Sequence, residues 1–258
     1  MPMKAAERDG VKLSFLDTGA GDPALVFVHG WSCNRSFWAP QVRAFSRSHR
    51  VIAIDLRGHG RSDKPRQAYT MKGFADDVAW LCEELDVRGP VIVGHSMGGV
   101  IALLLAARRP ALAAAAVFVD APLLPMAGGP GSGFAQFLEA LSRPDYMSTA
   151  STFIEGMFRP YSDPTLRSWT LQAMTSTPQH VMASALEELI AAGPHLPSGD
   201  LPLPVLSVTA AGGQNLAELK ERYTNLGQAQ VTGAGHFLQL EVPEQFNAML
   251  RRFMDVAL

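Results

Sequence analysis

Short apolar runs alternate with helix-like segments at both ends of this chain, and this alternation limits its fold more than any other feature of the sequence. The runs are rich in β-branched residues and are bounded by Gly, Pro or Asp, which is typical of strands buried on both faces of a parallel sheet. They are LVFVH (25–29), VIAID (51–55), VIVG (91–94), AVFVD (116–120) and VLSVT (205–209). A further segment, VKLSFLDTG (11–19), alternates apolar and polar residues as a half-exposed strand does.

Helical patterns separate these strands. We place them at about 36–47, 71–86, 97–109, 215–225 and 243–256, with a short strand at 229–232 before the last helix. Such alternation predicts an α/β protein with a mostly parallel sheet and helices on both faces.

Residues 122–200 interrupt this rhythm. The segment opens with the Gly/Pro-rich stretch PLLPMAGGPGSG and continues only in amphipathic helical patterns. We therefore predict a helical cap, or lid, over residues 122–200, inserted into a core domain made of residues 1–121 and 201–258.

Charge and composition exclude several classes of partner. The 258 residues carry 22 Lys and Arg against 24 Asp and Glu, and the basic residues are scattered, so we expect no nucleic-acid or membrane partner. The longest apolar run, ALAAAAVFV, is far shorter than the roughly 20 residues of a membrane span. The first ten residues lack the apolar core of a signal peptide, and Cys33 and Cys82 make no disulfide framework. We expect a cytoplasmic monomer or homodimer.

The stretch VIVGHSMGGV (91–100) places Ser96 between glycines where a strand turns into a helix. Ligands of open α/β sheets bind beyond such carboxyl ends of strands. A tight turn of this kind strains its central residue, and Gly94 and Gly98 remove side chains that would clash. The turn lifts the serine oxygen next to a helix N-terminus, which favours negative charge. This pattern is a nucleophile elbow.

Four motifs together resemble the α/β-hydrolase superfamily over nearly the whole chain. In order, they are FVHGW (27–31), DLRGHGRSDKP (55–65), GHSMGG (94–99) and GAGHFLQLEVPEQF (233–246). The resemblance implies an eight-stranded, mostly parallel sheet and a capped serine hydrolase. It also implies that the first motif supplies the oxyanion loop and the last motif supplies the catalytic histidine.

A serine hydroxyl needs a base to become a nucleophile. We assign that role to His236, which lies in a Gly-rich loop before the last helix and matches the histidine loop of the family. The resemblance assigns the oxyanion-stabilising groups to the backbone N–H of Trp31 and Met97. Of the other histidines, His95 precedes the serine and is expected to point away from it.

The orienting acid is missing from the place where most relatives carry it. There the loop AAGGQN (210–215) has no Asp or Glu, and the family pattern falls near Gly213. We predict that Asp120, at the end of the preceding strand, replaces it, which keeps the order nucleophile, acid, base. Glu218 remains the alternative acid, and a weakly catalytic or noncatalytic protein remains the alternative function.

Other acids receive structural interpretations. Asp55 and Asp63 are expected to anchor the 55–65 loop, and Glu241 and Glu244 are expected to begin the last helix, where they complement its dipole.

A Ser–His–Asp set with an oxyanion hole indicates acyl transfer to water, without metal or organic cofactor. We predict a small or medium, largely apolar carboxylic ester or lactone as substrate. The candidate substrate contacts are Trp31, Leu123, Phe158, Trp169 and Phe237. Two alternatives stay open: a cofactor-independent ring-cleaving dioxygenase that uses the His–Asp pair as base, and a ligand-binding module on the same scaffold.

Overall fold

The computed structural model describes residues 3–125, 132–212 and 215–258. Within these residues the chain forms one sheet of eight strands. The strands are β1 (Lys4–Arg8), β2 (Val11–Thr18), β3 (Leu25–Val28), β4 (Val51–Ile54), β5 (Val91–His95), β6 (Ala115–Val119), β7 (Val205–Ala210) and β8 (Leu226–Val231). Their order is β1-β2-β4-β3-β5-β6-β7-β8, and all neighbours from β4 to β8 are parallel. The predicted fold class is confirmed.

The helices of the described residues lie between and after these strands. They are α1 (Ala39–Phe45), α2 (Met71–Glu84), α3 (Met97–Arg108), α4 (Gly133–Leu141), α5 (Tyr146–Glu155), α6 (Pro164–Thr175), α7 (Gln179–Ala192), α8 (Leu216–Arg222), α9 (Leu238–Glu241) and α10 (Pro243–Ala257).

The apolar residues of each central strand divide between two cores, one on each face of the sheet. In β3, Val26 and Val28 belong to the core that also contains α2, α3 and the α4–α7 helices, whereas Leu25 and Phe27 pack against α1 and α10. This two-sided burial explains why the central strands are continuous apolar runs. Helix α3 is buried along residues 97–106, which matches its almost wholly apolar sequence.

Several details of the secondary structure differ from the prediction, among them that β8 begins at Leu226 and that the short helix α9 precedes the last helix. Strand β1 was not recognised from its sequence, KAAER, because it is a largely exposed edge strand whose pairing with β2 rests on backbone hydrogen bonds. The helix predicted at 36–47 is instead a 3₁₀ turn at Arg35–Trp38 followed by α1. Pro40 has no N–H to donate to an earlier turn, so it is tolerated only in the first turn of α1.

Helices α4–α7 occupy the chain between β6 and β7, within the predicted cap. Residues 126–131 of that segment lie outside the described residues, and the division into core and cap stays a prediction. None of the helices in the described ranges combines the length and apolar character that a membrane crossing requires.

Candidate active site

Ser96 stands at the junction of β5 and α3 with a backbone φ of 52° and ψ of −118°. A positive φ is uncommon for a residue with a side chain and costs of order 1–3 kcal/mol. The backbone N–H of Ser96 donates to Val119 O on β6 at 2.8 Å, which fixes the turn to the neighbouring strand. The strained elbow geometry predicted from the sequence is therefore present.

The glycines around Ser96 are required by close backbone contacts. A Cβ atom on Gly94 would lie 2.0 Å from Gly98 O, and one on Gly98 would lie 2.2 Å from Val28 O. Strand β5, the start of α3 and the end of β3 thus meet with no room for a side chain.

The loop after β3 lies directly against the elbow. A Cβ atom on Gly30 would be 3.1 Å from Ser96 Cβ. Trp31 follows in this loop, and Met97 is the first residue of α3, where backbone N–H groups have no acceptor within the helix. The two residues predicted to supply oxyanion donors therefore flank the serine.

Asp120 and His236 are hydrogen-bonded to each other. His236 Nδ1 donates to Asp120 Oδ2 at 2.7 Å, and Ala210 N donates to the other carboxylate oxygen at 3.2 Å. Because the carboxylate only accepts, the proton of the neutral imidazole is on Nδ1, and Nε2 keeps its lone pair. Ser96, Asp120 and His236 all line one cavity.

Opposing effects set the charge state of Asp120. Burial raises the pKa of this carboxyl group, but the hydrogen bond and charge of His236 and the N–H of Ala210 outweigh burial and lower it below its ordinary value. Asp120 has a φ of 43°, a left-handed conformation in which Asp and Asn are enriched. The strand end therefore presents an ionised carboxylate to the imidazole.

The alternative acid, Glu218, lies in the first turn of α8, where its backbone N–H donates to Asn215 Oδ1 at 3.3 Å. Gly213 of the preceding loop lies outside the described residues. The Nδ1 atom of His236 already has its partner in Asp120.

His95 contacts the histidine loop of the site, whereas its position before the serine predicts only that it points away from Ser96. Burial lowers the pKa of His95 to about 3, so its ring is neutral. Its Nε2–H donates to His236 O at 2.9 Å, and the two rings are 4.6 Å apart. The signal that could have found it is its position inside the elbow motif, next to Ser96.

The cavity at Ser96 has a volume of about 420 Å³ and mostly apolar walls. Its polar side chains are Ser96, Asp120 and His236. The apolar walls include Trp31, Leu124, Phe134, Phe153, Met157 and Leu186. Trp31 Nε1 donates to Met182 O on α7 at 2.8 Å, which holds the indole in the wall and links the loop after β3 to α7.

Of the five predicted substrate contacts, Trp31 lines this cavity and four do not. Leu123 is fully buried in the core, because the backbone directs its neighbours Pro122 and Leu124 toward the cavity instead. Phe158 and Phe237 pack against each other at 4.9 Å. Trp169 packs on Phe37, also at 4.9 Å. Phe237 lines a smaller cavity that Ser96 and His236 also line. Contact of these four residues with a substrate stays a prediction, because apolar character does not indicate which way a side chain faces in a loop or in helices α4–α7.

The other predicted acids have structural partners. Asp55 is buried and accepts from the backbone N–H of Arg35 and Arg61, and Asp63 accepts from Lys12 N. Glu241 does not begin the last helix but ends α9, where it accepts a hydrogen bond from Gly235 N at 2.9 Å.

The chain is similar to known proteins in sequence and in fold. A family described as alpha/beta hydrolase fold matches residues 23–183. A 3-oxoadipate enol-lactonase of Acinetobacter baylyi is 26% identical over 253 residues, which are 96% of this chain and 94% of that enzyme. The enol-lactonase of Burkholderia xenovorans superposes with a TM-score of 0.85 at 21% identity, covering 98% of this chain and 100% of that structure.

A higher local identity is found with a non-heme chloroperoxidase of Streptomyces lividans. It is 45% identical over 116 residues, 44% of this chain. The chain spans only 42% of that enzyme's length in this match.

Proposed function

The chain belongs to the α/β-hydrolase family, and from this premise we propose that it is a serine hydrolase that cleaves a small or medium, largely apolar carboxylic ester or lactone. The observation that carries the proposal is the cavity that Ser96, Asp120 and His236 line together, with Asp120 and His236 hydrogen-bonded to each other. The full-length relative that is named a 3-oxoadipate enol-lactonase supports the same class of reaction.

In the proposed reaction His236 Nε2 removes the proton from Ser96, whose oxygen attacks the substrate carbonyl. Asp120 keeps the imidazole in the Nδ1–H tautomer and stabilises the imidazolium that forms. The same histidine then protonates the leaving alcohol and activates the water that hydrolyses the acyl-enzyme. The proton thus passes from the serine to the alcohol, and a second one passes from water back to the serine.

The negative oxygen of the tetrahedral intermediate needs preorganised donors, each worth about 10²–10³ in rate. The backbone N–H groups of Trp31 and Met97 are the proposed donors, because their loop and helix end flank Ser96. Helices α4–α7 are proposed to act as a lid, since Phe134, Phe153 and Leu186 supply apolar walls of the cavity.

The absence of an acid from the loop after β7 favours a noncatalytic binding module. The hydrogen bond between Asp120 and His236 supplies the histidine with another acid and so favours a hydrolase. Action without a cofactor, a cytoplasmic location and a monomeric or dimeric state stay predictions.

The test is turnover of p-nitrophenyl acetate and butyrate by the parent and by Ser96→Ala, with labelling by an organophosphonate probe. We expect turnover and labelling by the parent and loss of both in the variant. No turnover and no labelling by the parent, with a ligand-induced rise in melting temperature, would favour a binding module. Oxygen uptake with a hydroxyquinolone that persists in Ser96→Ala would favour the dioxygenase.

A further inference from the structure

The connector between α5 and α6, residues 157–162, contacts the loop that carries His236. The backbone N–H of His236 donates to Met157 O at 2.9 Å. A Cβ atom on Gly235 would lie 2.5 Å from the same oxygen, so the two segments touch backbone to backbone. The φ of Gly235 is not positive, and this glycine is therefore required by the contact with the connector.

Arg159 joins the connector to two loops of the core. Its Nη2 donates to Ala211 O, after β7, at 2.8 Å, and its Nε donates to Ala234 O, two residues before the histidine, at 3.4 Å. The guanidinium thus donates to one backbone carbonyl of the acid-free loop after β7 and to one of the histidine loop. Its fixed fork suits such a two-acceptor bridge.

Ser162 and Glu241 form a second link. Ser162 Oγ donates to one carboxylate oxygen of Glu241 and accepts from Arg159 N at 3.1 Å. The other oxygen of Glu241 accepts from Gly235 N at 2.9 Å. The carboxylate therefore connects the connector to the residue directly before His236.

These bonds hold successive peptide groups around the histidine. Arg159 donates to Ala234 O, and Glu241 accepts from Gly235 N. The backbone N–H of His236 donates to Met157 O, and His95 donates to His236 O. Of these four partner residues, Arg159 and Met157 belong to the connector and Glu241 is hydrogen-bonded to it. Met157 also lines the substrate cavity, so the same residue touches the cavity and fixes the histidine backbone.

We propose that Arg159, Ser162 and Glu241 are positioning residues that clamp the connector onto the histidine loop and so orient the imidazole of His236 toward Asp120 and Ser96. The inference rests on the proposed hydrolase function. None of the three lines the cavity at Ser96, so they act on the catalytic step through His236 and not through substrate contact. A misplacement of about 1 Å can cost roughly 10²-fold in rate.

The test compares Arg159→Met, Ser162→Ala and Glu241→Ala with the parent, using nitrophenyl butyrate and counting active sites from the end point of phosphonate labelling. We expect kcat per active site to fall about tenfold in each variant and roughly 10²-fold in the Arg159→Met/Ser162→Ala double variant, with KM within twofold. Glu241→Gln keeps an acceptor for Gly235 N and is expected to restore most of kcat.

Two variants serve as matched controls. Arg222→Met removes a guanidinium bond of the same length, 2.8 Å, to Leu196 O at the other end of the cap segment. Ser142→Ala removes a hydroxyl that bonds within the cap, to Leu138 O. Both are expected to keep the parent's kcat. Equal losses in the controls and in the connector variants would overturn the proposal, because any loosening of the cap would then suffice.

A readout independent of turnover separates this inference from the proposed function. The Nδ1 proton of His236, bonded to Asp120, is followed by NMR in ¹⁵N-histidine-labelled protein. We expect a low-field signal in the parent and in the controls and faster exchange with water in the connector variants. If the parent is inactive but the Nδ1 proton exchanges faster in the connector variants than in the parent and the controls, only the hydrolase function is overturned. An active parent with unchanged kcat and unchanged proton exchange in folded connector variants would overturn only the positioning role.

Discussion

Asp120 and His236 are 116 positions apart in the chain, yet Asp120 Oδ2 lies 2.7 Å from His236 Nδ1. Asp120 directly follows β6 and His236 follows β8, and the parallel order β6-β7-β8 brings both to the carboxyl ends of the strands at the same edge of the sheet.

Replacing Asp120 by Asn tests this acid directly. Asn adopts the left-handed φ of 43° as readily as Asp, so the backbone is retained while the negative charge is lost. Loss of the correct tautomer in a Ser–His–Asp set costs about 10⁴ in kcat. We expect a loss of 10³ or more in ester turnover. Glu218→Gln is the matched control, and a dead Glu218→Gln beside a healthy Asp120→Asn would reverse the assignment.

Replacing Ser96 by Gly tests the strain at the elbow. Both Ser96→Gly and Ser96→Ala remove the hydroxyl, but only glycine adopts a φ of 52° without a steric penalty. After allowance for the greater backbone entropy of glycine in the unfolded chain, we expect Ser96→Gly to be more stable than Ser96→Ala by about 1 kcal/mol. Urea unfolding of the two variants measures this difference, and a more stable alanine variant would contradict it.

The cavity is expected to discriminate against charged substrates. Among the described residues that line it there is no Lys or Arg, and residues 1–2, 126–131 and 213–214 contain none either. An unpaired carboxylate carried into such a site costs several kcal/mol. We expect a nitrophenyl ester with a terminal carboxylate to have a kcat/KM at least about 10²-fold below that of its neutral isostere.

A variant with an added cation provides the control for that comparison. Leu186→Arg places a guanidinium in the cavity wall. It is expected to reduce the ratio of kcat/KM for the neutral ester to kcat/KM for the anionic ester. Equal kcat/KM values for the two esters in the parent would show that the acyl group does not enter the apolar cavity.

Buried histidines predict that the fold loses stability in weak acid. Burial lowers the pKa of His29 to about 4 and the pKa values of His59 and His95 to about 3. Below pH 6.5, histidines of the unfolded chain become protonated while the buried histidines of the folded chain stay neutral. The free energy of unfolding therefore falls as the pH falls toward 4. The limiting slope is about 1.4 kcal/mol per pH unit for each histidine.

Urea unfolding between pH 7.5 and pH 5, a range set about the unperturbed histidine pKa, measures this slope. His59→Asn keeps a donor in place of Nδ1, which faces Arg57 O, and removes one titrating ring. It is expected to reduce the slope by about one third, since one of the three rings is removed. A free energy of unfolding that stays constant over this range would contradict the prediction.

The features that could be predicted from the sequence are those that leave a local signal in it. The elbow at Ser96 leaves such a signal because Gly94 and Gly98 both lie within two residues of the serine, although the contact that requires Gly98 is with Val28 O of β3. The buried strands are also local signals, since burial on both faces leaves a continuous apolar run. The choice of Asp120 depends on the resemblance to the α/β-hydrolase family, because only the family pattern shows that the usual acid position has no carboxylate.

Side-chain direction outside regular strands was not predictable. Leu123 and Leu124 are chemically alike and adjacent, yet one is buried in the core and the other lines the cavity. Phe153 on α5 and Trp169 on α6 are both aromatic, yet only Phe153 lines the cavity. These choices depend on how helices α4–α7 pack on the rest of the chain, and similar residues at similar spacing carry no signal for that packing.

The sequence by itself determined the sheet and the elbow at Ser96, because short-range sterics and hydrophobic periodicity act within each segment. Its resemblance to the α/β-hydrolase family predicted that His236 and Asp120 act with Ser96, and the structure brings the three residues to one cavity. Only the tertiary structure decided that Glu241, Arg159 and Ser162 meet the histidine loop and that His95 holds His236 O. Those contacts join segments far apart in the chain, and a hydrogen bond between distant segments depends on their arrangement in space, which no local pattern of residues encodes.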